Sequence, residues 1–222
     1  MISLIIETST ERGAVALFRE NVLIYEGKLP FGLQNSKSLF TEIVKAFSST
    51  NLSPADIKYI AVGIGPGSYT GIRVGAMTAK TFSFALNIPL IGICSLNGFV
   101  PENDGYFASV IDARIGGVYL QIGLKKEGIV NWQKEPMLLP LDQAVDLLKD
   151  IKTYVTPSSL LLKPKFEMLN KNAVLEWIET DPSIRQISFI AKEKYEKGEF
   201  RHDQQLDLLY LRKTQAEIET NR

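Results

Sequence analysis

The residues best suited to chemistry lie in one short stretch, residues 63–75, where a glycine-rich turn precedes two hydroxyl side chains. Gly65 and Gly67 flank a proline in the turn, and Ser68 or Thr70 can cap the following helix by accepting from its free N–H groups. This layout suits anion binding, because the first-turn N–H groups and the helix dipole point at the turn. It suits a tight connection in an α/β core equally well, and the residues alone favour neither.

The scarcity of cysteine and histidine excludes several kinds of site. Cys94 is the one cysteine and lies in an apolar run, which favours a small buried hydrophobe. His202 is the one histidine and lies in a polar stretch typical of a solvated loop. A zinc site with several Cys or His ligands cannot be built, and no G-x-S-x-G nucleophile motif is present. We therefore predict no metal site and no catalytic residues in this chain.

Composition and charge narrow the class of protein further. The chain has 222 residues, 45% hydrophobic and 23% charged, as in ordinary globular proteins. Lysine plus arginine and aspartate plus glutamate number 25 each, whereas proteins that grip nucleic acid alone usually carry a basic excess. The N-terminus has no basic region followed by a long apolar one, and no apolar run is long enough to span a membrane. We expect a cytoplasmic protein without a membrane partner.

Hydrophobic periodicity predicts the elements that must position the glycine turn. In the first half it predicts three strands at residues 2–7, 14–18 and 22–28, followed by a helix at 35–49 and a strand at 59–64. A second helix at 68–86 and a last strand at 90–94 complete this half. Residues 19–21 are short enough for a hairpin, which makes the first part of the sheet antiparallel. Residues 101–105 form a turn cluster typical of a domain boundary.

The second half echoes this order. The pattern predicts three strands, at residues 106–111, at 117–122 and within 129–139. A helix at 141–150 and a strand at 152–155 follow. Residues 173–178 suit a helix or a strand, residues 188–197 suit a helix, and residues 157–170 give no clear pattern. A short apolar segment follows at residues 206–212.

The helix after the glycine turn carries a stripe of small residues spaced four apart. They are Gly71, Gly75, Ala79 and Ser83. Glycine inside a helix costs about 1 kcal/mol relative to alanine, so two of them suggest that another backbone comes very close. That backbone belongs either to the protein's own sheet and helices or to a partner chain, and spacing favours the former by roughly two to one.

Several segments resemble one known family. Residues 65–75 read GPGSYTGIRVG and resemble the signature G-P-G-S-[FY]-T-G-[LIV]-R-[IV]-G of TsaB (YeaZ-like) proteins. Residues 4–9 are similar to the family's opening strand, residues 112–119 to its D-A-R-x-G-x-V-Y segment, and residues 210–212 to its Y-L-R. The resemblance covers most of the chain to about Pro140 and again near the C-terminus.

The resemblance implies a fold and a division of the chain. It implies the actin/Hsp70-like (ASKHA, ribonuclease H-like) α/β fold, with two domains, mixed five-stranded sheets and a reduced second domain. We expect an N-terminal domain over residues 1–100, joined by residues 206–222, and a smaller C-terminal domain over residues 101–205.

The resemblance also implies a function. TsaB proteins act in bacterial tRNA modification, where threonylcarbamoyl is added to the adenosine next to the anticodon. The transfer is done by the paralogue TsaD, with the ATPase TsaE as a third component, and TsaB is the non-catalytic partner. The family thus implies TsaD and TsaE as partners, tRNA contacted through the complex, ATP used by the partners and no cofactor required by this chain. Homodimers through a related helical surface also occur in the family.

We expect the helices starting near Ser36 and Thr70 to form the docking face. The interface residues predicted on them are Asn35, Ser36, Leu39, Phe40, Ile43, Thr70, Gly71, Arg73, Val74, Gly75, Thr78, Ala79 and Phe82. Asn35 departs from the family, which commonly has histidine there. The residues predicted for a weak anion or nucleotide site are Glu7, Thr8, Gly65, Gly67, Ser68 and Asp112.

Two enzymatic alternatives remain beside the docking hypothesis. An ATP-dependent kinase or ATPase of this fold needs an acidic residue after strand one and phosphate loops with glycine in both domains. Glu7 stands where such enzymes have aspartate and is longer by a methylene, about 1.5 Å, and residues 112–114 and 153–159 lack glycine. A peptidase, a label sometimes attached to relatives, is disfavoured by the Cys and His counts.

Overall fold

The computed structural model describes residues 1–32, 35–114, 117–170, 174–202 and 205–211, with the side chains of 35–37 excepted. The strands are β1 Ile2–Glu7, β2 Ala14–Arg19, β3 Val22–Lys28, β4 Ile57–Gly63, β5 Leu90–Ile93, β6 Gly105–Asp112, β7 Val118–Lys126, β8 Ile129–Trp132, β9 Met137–Leu139, β10 Thr153–Thr156 and β11 Glu176–Glu179. The helices are α1 Asn35–Thr50, α2 Tyr69–Leu86, α3 Leu141–Leu147, α4 Leu162–Leu169 and α5 Ile184–Glu196, with short 3₁₀ turns at Pro54–Asp56 and Ser95–Gly98.

The two halves of the chain form two sheets of the same order. The first runs β3-β2-β1-β4-β5, and the main path of the second runs β8-β7-β6-β10-β11. In each, three antiparallel strands in chain order are followed by two strands parallel to the first of them. The echo predicted for the second half is therefore confirmed.

The second sheet has a sixth strand, where five were predicted. Strand β8 pairs only with the distal part of β7, from Gly123 to Lys126. The proximal part of β7 is left with an open edge, and β9 pairs there with Val118 to Leu120. The sixth strand follows from the shortness of β8, which is four residues long.

The first sheet is covered on both faces, which explains why β1 is an uninterrupted apolar strand. Leu4 and Ile6 face a core shared with α1 and α2, and Ile5 faces a second core shared with α5. The side chains of β1 are all buried, as expected of a central strand between two helical layers. Helix α5 lies within the range grouped with the second domain, yet it packs on the first sheet through Ile184, Ile187 and Ala191, among others.

The second sheet also has a core on each face. On one face α3 packs through Ala144, the residue after it through Leu148, and α4 through Leu162 and Phe166. On the other, Leu96 and Phe99 from the chain between the sheets pack on Phe107, Tyr119 and their neighbours.

Two stretches without a clear sequence pattern resolve into short elements. Residues 162–169 form α4, and residues 176–179 form a strand, the second of the two alternatives predicted for 173–178. Leu206, in the C-terminal apolar segment, joins the core of the first sheet. None of the helices in the described part of the chain has the length and apolar character needed to cross a bilayer.

Candidate cleft and docking face

A cleft of about 250 Å³ lies where the two sheets meet. The carboxyl ends of β1, β6 and β10 all point to it, so the loops after these strands supply its walls together with the start of α2. The residues that line it are Ser9, Thr10, Glu11, Gly67, Ser68, Tyr69, Ile111, Asp112, Ala113, Arg114, Tyr119, Pro157, Ser158 and Leu161. The volume lies just below the range of pockets that bury a drug-sized ligand, about 300–1,000 Å³.

The glycine turn is shaped by contact with the end of β1. Ser68 caps α2, its hydroxyl accepting from the Gly71 N–H at 3.3 Å. The Ser68 N–H donates to the Ser9 carbonyl at 2.7 Å, and a Cβ built on Gly67 would lie 2.1 Å from that same oxygen. The turn therefore requires glycine at 67 because the chain's own backbone passes there, which is the tight-connection alternative.

The stripe of small residues on α2 faces the protein's own sheet, which is the alternative that the spacing favoured, and this corrects the inclusion of Gly71, Gly75 and Ala79 in the predicted interface. A Cβ on Gly71 would lie 2.0 Å from the Thr8 carbonyl oxygen, and one on Gly75 would lie 2.3 Å from Thr8 Oγ1. Ala79 is fully buried in the first core. These positions are small so that α2 can lie directly on β1.

Glu7, the last residue of β1, is buried and does not line the cleft. It is fully buried, with Oε1 accepting from the Ser9 N–H at 2.6 Å and Oε2 lacking a hydrogen-bond partner among the described residues. A Cβ on Gly63 would lie 2.0 Å from Oε2, so the carboxyl is pressed against β4. Burial, partly offset by hydrogen bonds from Ser9, raises the pKa of Glu7.

Asp112, at the end of β6, is one of two acidic residues that line the cleft, the other being Glu11. Its Oδ1 accepts from the Arg114 N–H at 3.0 Å and lies 4.0 Å from Lys165 Nζ, while its Oδ2 is buried without a hydrogen-bond partner in the described structure. Of the six residues predicted for an anion site, Gly67, Ser68 and Asp112 line the cleft, and the other three do not.

These residues do not fit the magnesium nucleotide that enzymes of this fold hold. The carboxyl expected to face the metal after the first strand is turned into the core at Glu7. Among the described residues, no group of three or more His, Cys, Asp or Glu side chains is arranged to hold a metal ion.

The candidate nucleophiles are equally poorly placed. Burial raises the pKa of Cys94 to about 12, so its thiol is not poised as a thiolate. The Ser68 hydroxyl serves as the helix cap. His202 is exposed and packs edge-on against Phe200, 5.0 Å between ring centroids.

The outer face of α1 and α2 carries exposed apolar side chains, which we call the helical face. Phe40 and Val44 on α1 are each 60% exposed, and Met77 and Phe84 on α2 are 64% and 70% exposed. The interface predicted from sequence is divided by the structure: Phe40, Thr70 and Arg73 are exposed and Gly71, Val74 and Phe82 half-buried, whereas Leu39, Ile43, Gly75, Thr78 and Ala79 are buried.

Asn35 and Ser36 begin α1, as expected from sequence, and their side chains lie outside the described part of the structure. Met77 and Phe84 were missed, although they lie seven residues apart on α2 and so fall on one side of the helix.

Arg73 is tied to the C-terminal segment. Tyr210 stacks on Tyr69, 4.9 Å between ring centroids, and the Arg73 guanidinium carbon lies 5.8 Å from both rings. The Leu209 N–H donates to the Ile64 carbonyl at 2.9 Å, so the segment runs directly over the glycine turn.

Comparison with known proteins gives this geometry a context. Residues 33–147, just over half of the chain, match the family described as TsaD: tRNA N6-adenosine threonylcarbamoyltransferase. The chain is 27% identical over 202 residues to the tRNA threonylcarbamoyladenosine biosynthesis protein TsaB of Bacillus subtilis, covering 87% of this chain and 88% of that one. It is 30% identical over 121 residues to the protein of that name in Escherichia coli, 52% of each chain.

A solved structure confirms the fold class. YeaZ from Pseudomonas aeruginosa superposes with a TM-score of 0.81 at 20% identity, over 95% of this chain and 99% of that one. The actin/Hsp70-like α/β fold predicted from sequence is therefore the fold of this chain.

Proposed function

The chain belongs to the TsaD family and, within it, to the TsaB (YeaZ-like) proteins, and on that premise we propose that it acts in tRNA threonylcarbamoyladenosine biosynthesis as the non-catalytic partner of TsaD. The observation that supports this proposal most is the helical face. Two adjacent helices expose four large apolar side chains to solvent, those of Phe40, Val44, Met77 and Phe84. Large apolar side chains exposed on neighbouring helices are typical of protein–protein contact surfaces.

The chemistry of the cleft supports a non-catalytic role. A kinase or ATPase of this fold uses a carboxyl after the first strand to organise Mg-ATP, and here the carboxyl of Glu7 lies under Gly63. We propose that ATP is used by the partners of this chain and that this chain requires no cofactor of its own.

The proposal includes the architecture of the complex. TsaD occupies the helical face in a heterodimer, TsaE completes the assembly, and tRNA is contacted through the complex. A homodimer would use the same face, so homodimer and heterodimer compete. The net charge of zero supports this arrangement, because nothing in the composition favours tRNA binding by this chain alone.

The test is affinity for purified TsaD after placing a charge in the face. Phe84→Glu and Met77→Glu should each weaken binding about 30-fold or more, the loss expected at an interface hot spot. The matched control is Phe189→Glu, since Phe189 is 55% exposed on α5, on the opposite side of the first sheet. Reconstituted tRNA modification should fall with binding. Unchanged affinity in the Phe84→Glu/Met77→Glu double variant would show that TsaD docks elsewhere.

A second candidate, an ATP-binding kinase or ATPase, rests on the cleft itself and on Asp112 Oδ2, which has no hydrogen-bond partner among the described residues. Calorimetry of the isolated chain with Mg-ATP separates the two. Docking alone predicts no heat of binding, whereas tight binding that is lost in Asp112→Asn would favour the enzyme.

A further inference from the structure

Arg12, in the turn between β1 and β2, reaches across to the second half of the chain with all three guanidinium nitrogens. Nε donates to the Pro157 carbonyl just after β10. Nη2 contacts Glu179 Oε2 at 3.4 Å, at the end of β11, and Nη1 contacts Asp181 Oδ1 at 3.2 Å, in the link between β11 and α5. These partners are 145 to 169 residues away in the chain.

The partners of Arg12 are themselves held in place. The Ser159 N–H donates to Glu179 Oε1 at 2.8 Å, and the Ser159 hydroxyl donates to the same oxygen. Asp181 Oδ2 pairs with Lys28 Nζ at 2.7 Å, so the Asp181 carboxylate binds two cations from the first sheet. The Arg12 and Asp181 side chains are 25% and 32% exposed, so their pair is more shielded than an ordinary surface pair, whereas Glu179 and Lys28 are 41% and 63% exposed.

The contacts of Arg12 lie at the edge of the cleft. Thr10 and Glu11 line it on the side of the first sheet, and Pro157 and Ser158 line it on the side of the second. The hydrogen bond from Arg12 to Pro157 therefore joins the two walls. The bond to Asp181 fixes one of the segments through which the chain passes between the sheets.

We propose that Arg12 is a clasp that sets the angle between the two sheets and so holds the cleft narrow. Releasing it frees Pro157 and Glu179 from the β1–β2 turn, and the second sheet can then swing away about the crossing segments. The cleft of this chain has a closed state held by Arg12 and a wider state without it. The clasp is independent of what docks on the helical face.

The test measures the distance between the sheets directly. Spin labels are placed at two exposed positions, Ser48 on α1 and Lys149 after α3, in a Cys94→Ala background. Pulsed electron spin resonance then gives the distance distribution between them. Arg12→Ala should broaden the distribution and lengthen its mean. Arg12→Lys should fall between, because an ammonium cannot replace a planar fork that reaches three partners at once.

The matched control is Arg19→Ala, which removes an exposed arginine from the same hairpin. Its distribution should superpose on that of the parent. Glu179→Gln tests the clasp from its other side and should also broaden the distribution while leaving Arg12 in place. A folded Arg12→Ala protein, checked by circular dichroism, whose distribution superposes on the parent would overturn the proposal. Equal broadening in Arg19→Ala would do the same.

Discussion

The Nε of Arg73 donates a hydrogen bond to the hydroxyl of Tyr210 at 3.0 Å, across 137 residues of chain. Both residues belong to the segments that carry the family resemblance, residues 65–75 and residues 210–212. The contact holds the two segments against each other in the folded chain. Arg73, predicted from sequence to contact a partner, contacts this chain's own C-terminal segment in the structure.

We expect Tyr210→Ala to loosen this segment more than Tyr210→Phe. Phenylalanine keeps the ring stacked on Tyr69 and loses only the hydroxyl, whereas alanine loses the aromatic pair, worth about 0.5–1.5 kcal/mol beyond its buried area. Hydrogen exchange over residues 205–211 and the melting temperature should both rank wild type, then Phe, then Ala. Equal exchange in the two variants would show that the stack contributes nothing.

Gly75→Ala should destabilise the protein, although the same change inside a helix normally stabilises by about 1 kcal/mol. The reversal arises because the new Cβ would lie 2.3 Å from Thr8 Oγ1, and the Thr8 hydroxyl donates to the Gly71 carbonyl at 2.8 Å. Overpacking of this kind costs about 1–3 kcal/mol. Denaturant unfolding of Gly75→Ala measures the loss.

A double-mutant cycle with Thr8→Ala identifies the cause. Removing the Thr8 hydroxyl takes away the clashing atom, and the Val62 and Ile6 methyl groups at 3.4 Å and 3.6 Å are at ordinary contact distance. The double variant should therefore lose less stability than the two single variants combined. Additive losses would place the strain elsewhere.

Strong periodicity made most of the fold predictable from sequence. Helix α2 was expected to start at a Ser68 or Thr70 cap and to run to Leu86, and it is Tyr69–Leu86. The first strand was expected and found at 2–7. Helix α4 and strand β11 were not settled, because elements of eight and four residues are too short for a period to show.

The site was less predictable, for a physical reason. Small residues on α2 indicate that a backbone comes close and their spacing favours the protein's own chain, but it does not identify Thr8 as the residue that approaches. The clasp was missed because nothing near Arg12 in sequence indicates that its partners lie at Pro157, Glu179 and Asp181. Contacts between distant residues depend on the packing of whole sheets, which a local pattern does not contain.

Cys94 should be almost unreactive in the folded protein. With a pKa of about 12, its thiolate fraction at pH 8 is about one in ten thousand, against about one in ten for a free thiol of pKa 9. Labelling by iodoacetamide should be slow in buffer and rapid in denaturant. Because the Cys94 side chain is half-buried and within reach of the reagent, rapid labelling of the native protein would contradict the raised pKa.

Glu7 should make the protein less stable as the pH rises. Because burial raises its pKa in the folded state above the ordinary value of 4.5, the folded protein holds this proton more tightly than the unfolded chain. Its ionisation therefore costs nothing below about pH 4.5, and the cost grows until the pH passes the raised pKa.

Glu7→Gln removes the titration and can still accept from the Ser9 N–H through its amide oxygen. The stability difference between Glu7→Gln and wild type, from denaturant unfolding between about pH 4 and pH 8, should thus shift in favour of glutamine as the pH rises. A difference for Glu7→Gln that does not change with pH would mean that the Glu7 carboxyl is ionised in the folded protein as readily as in water.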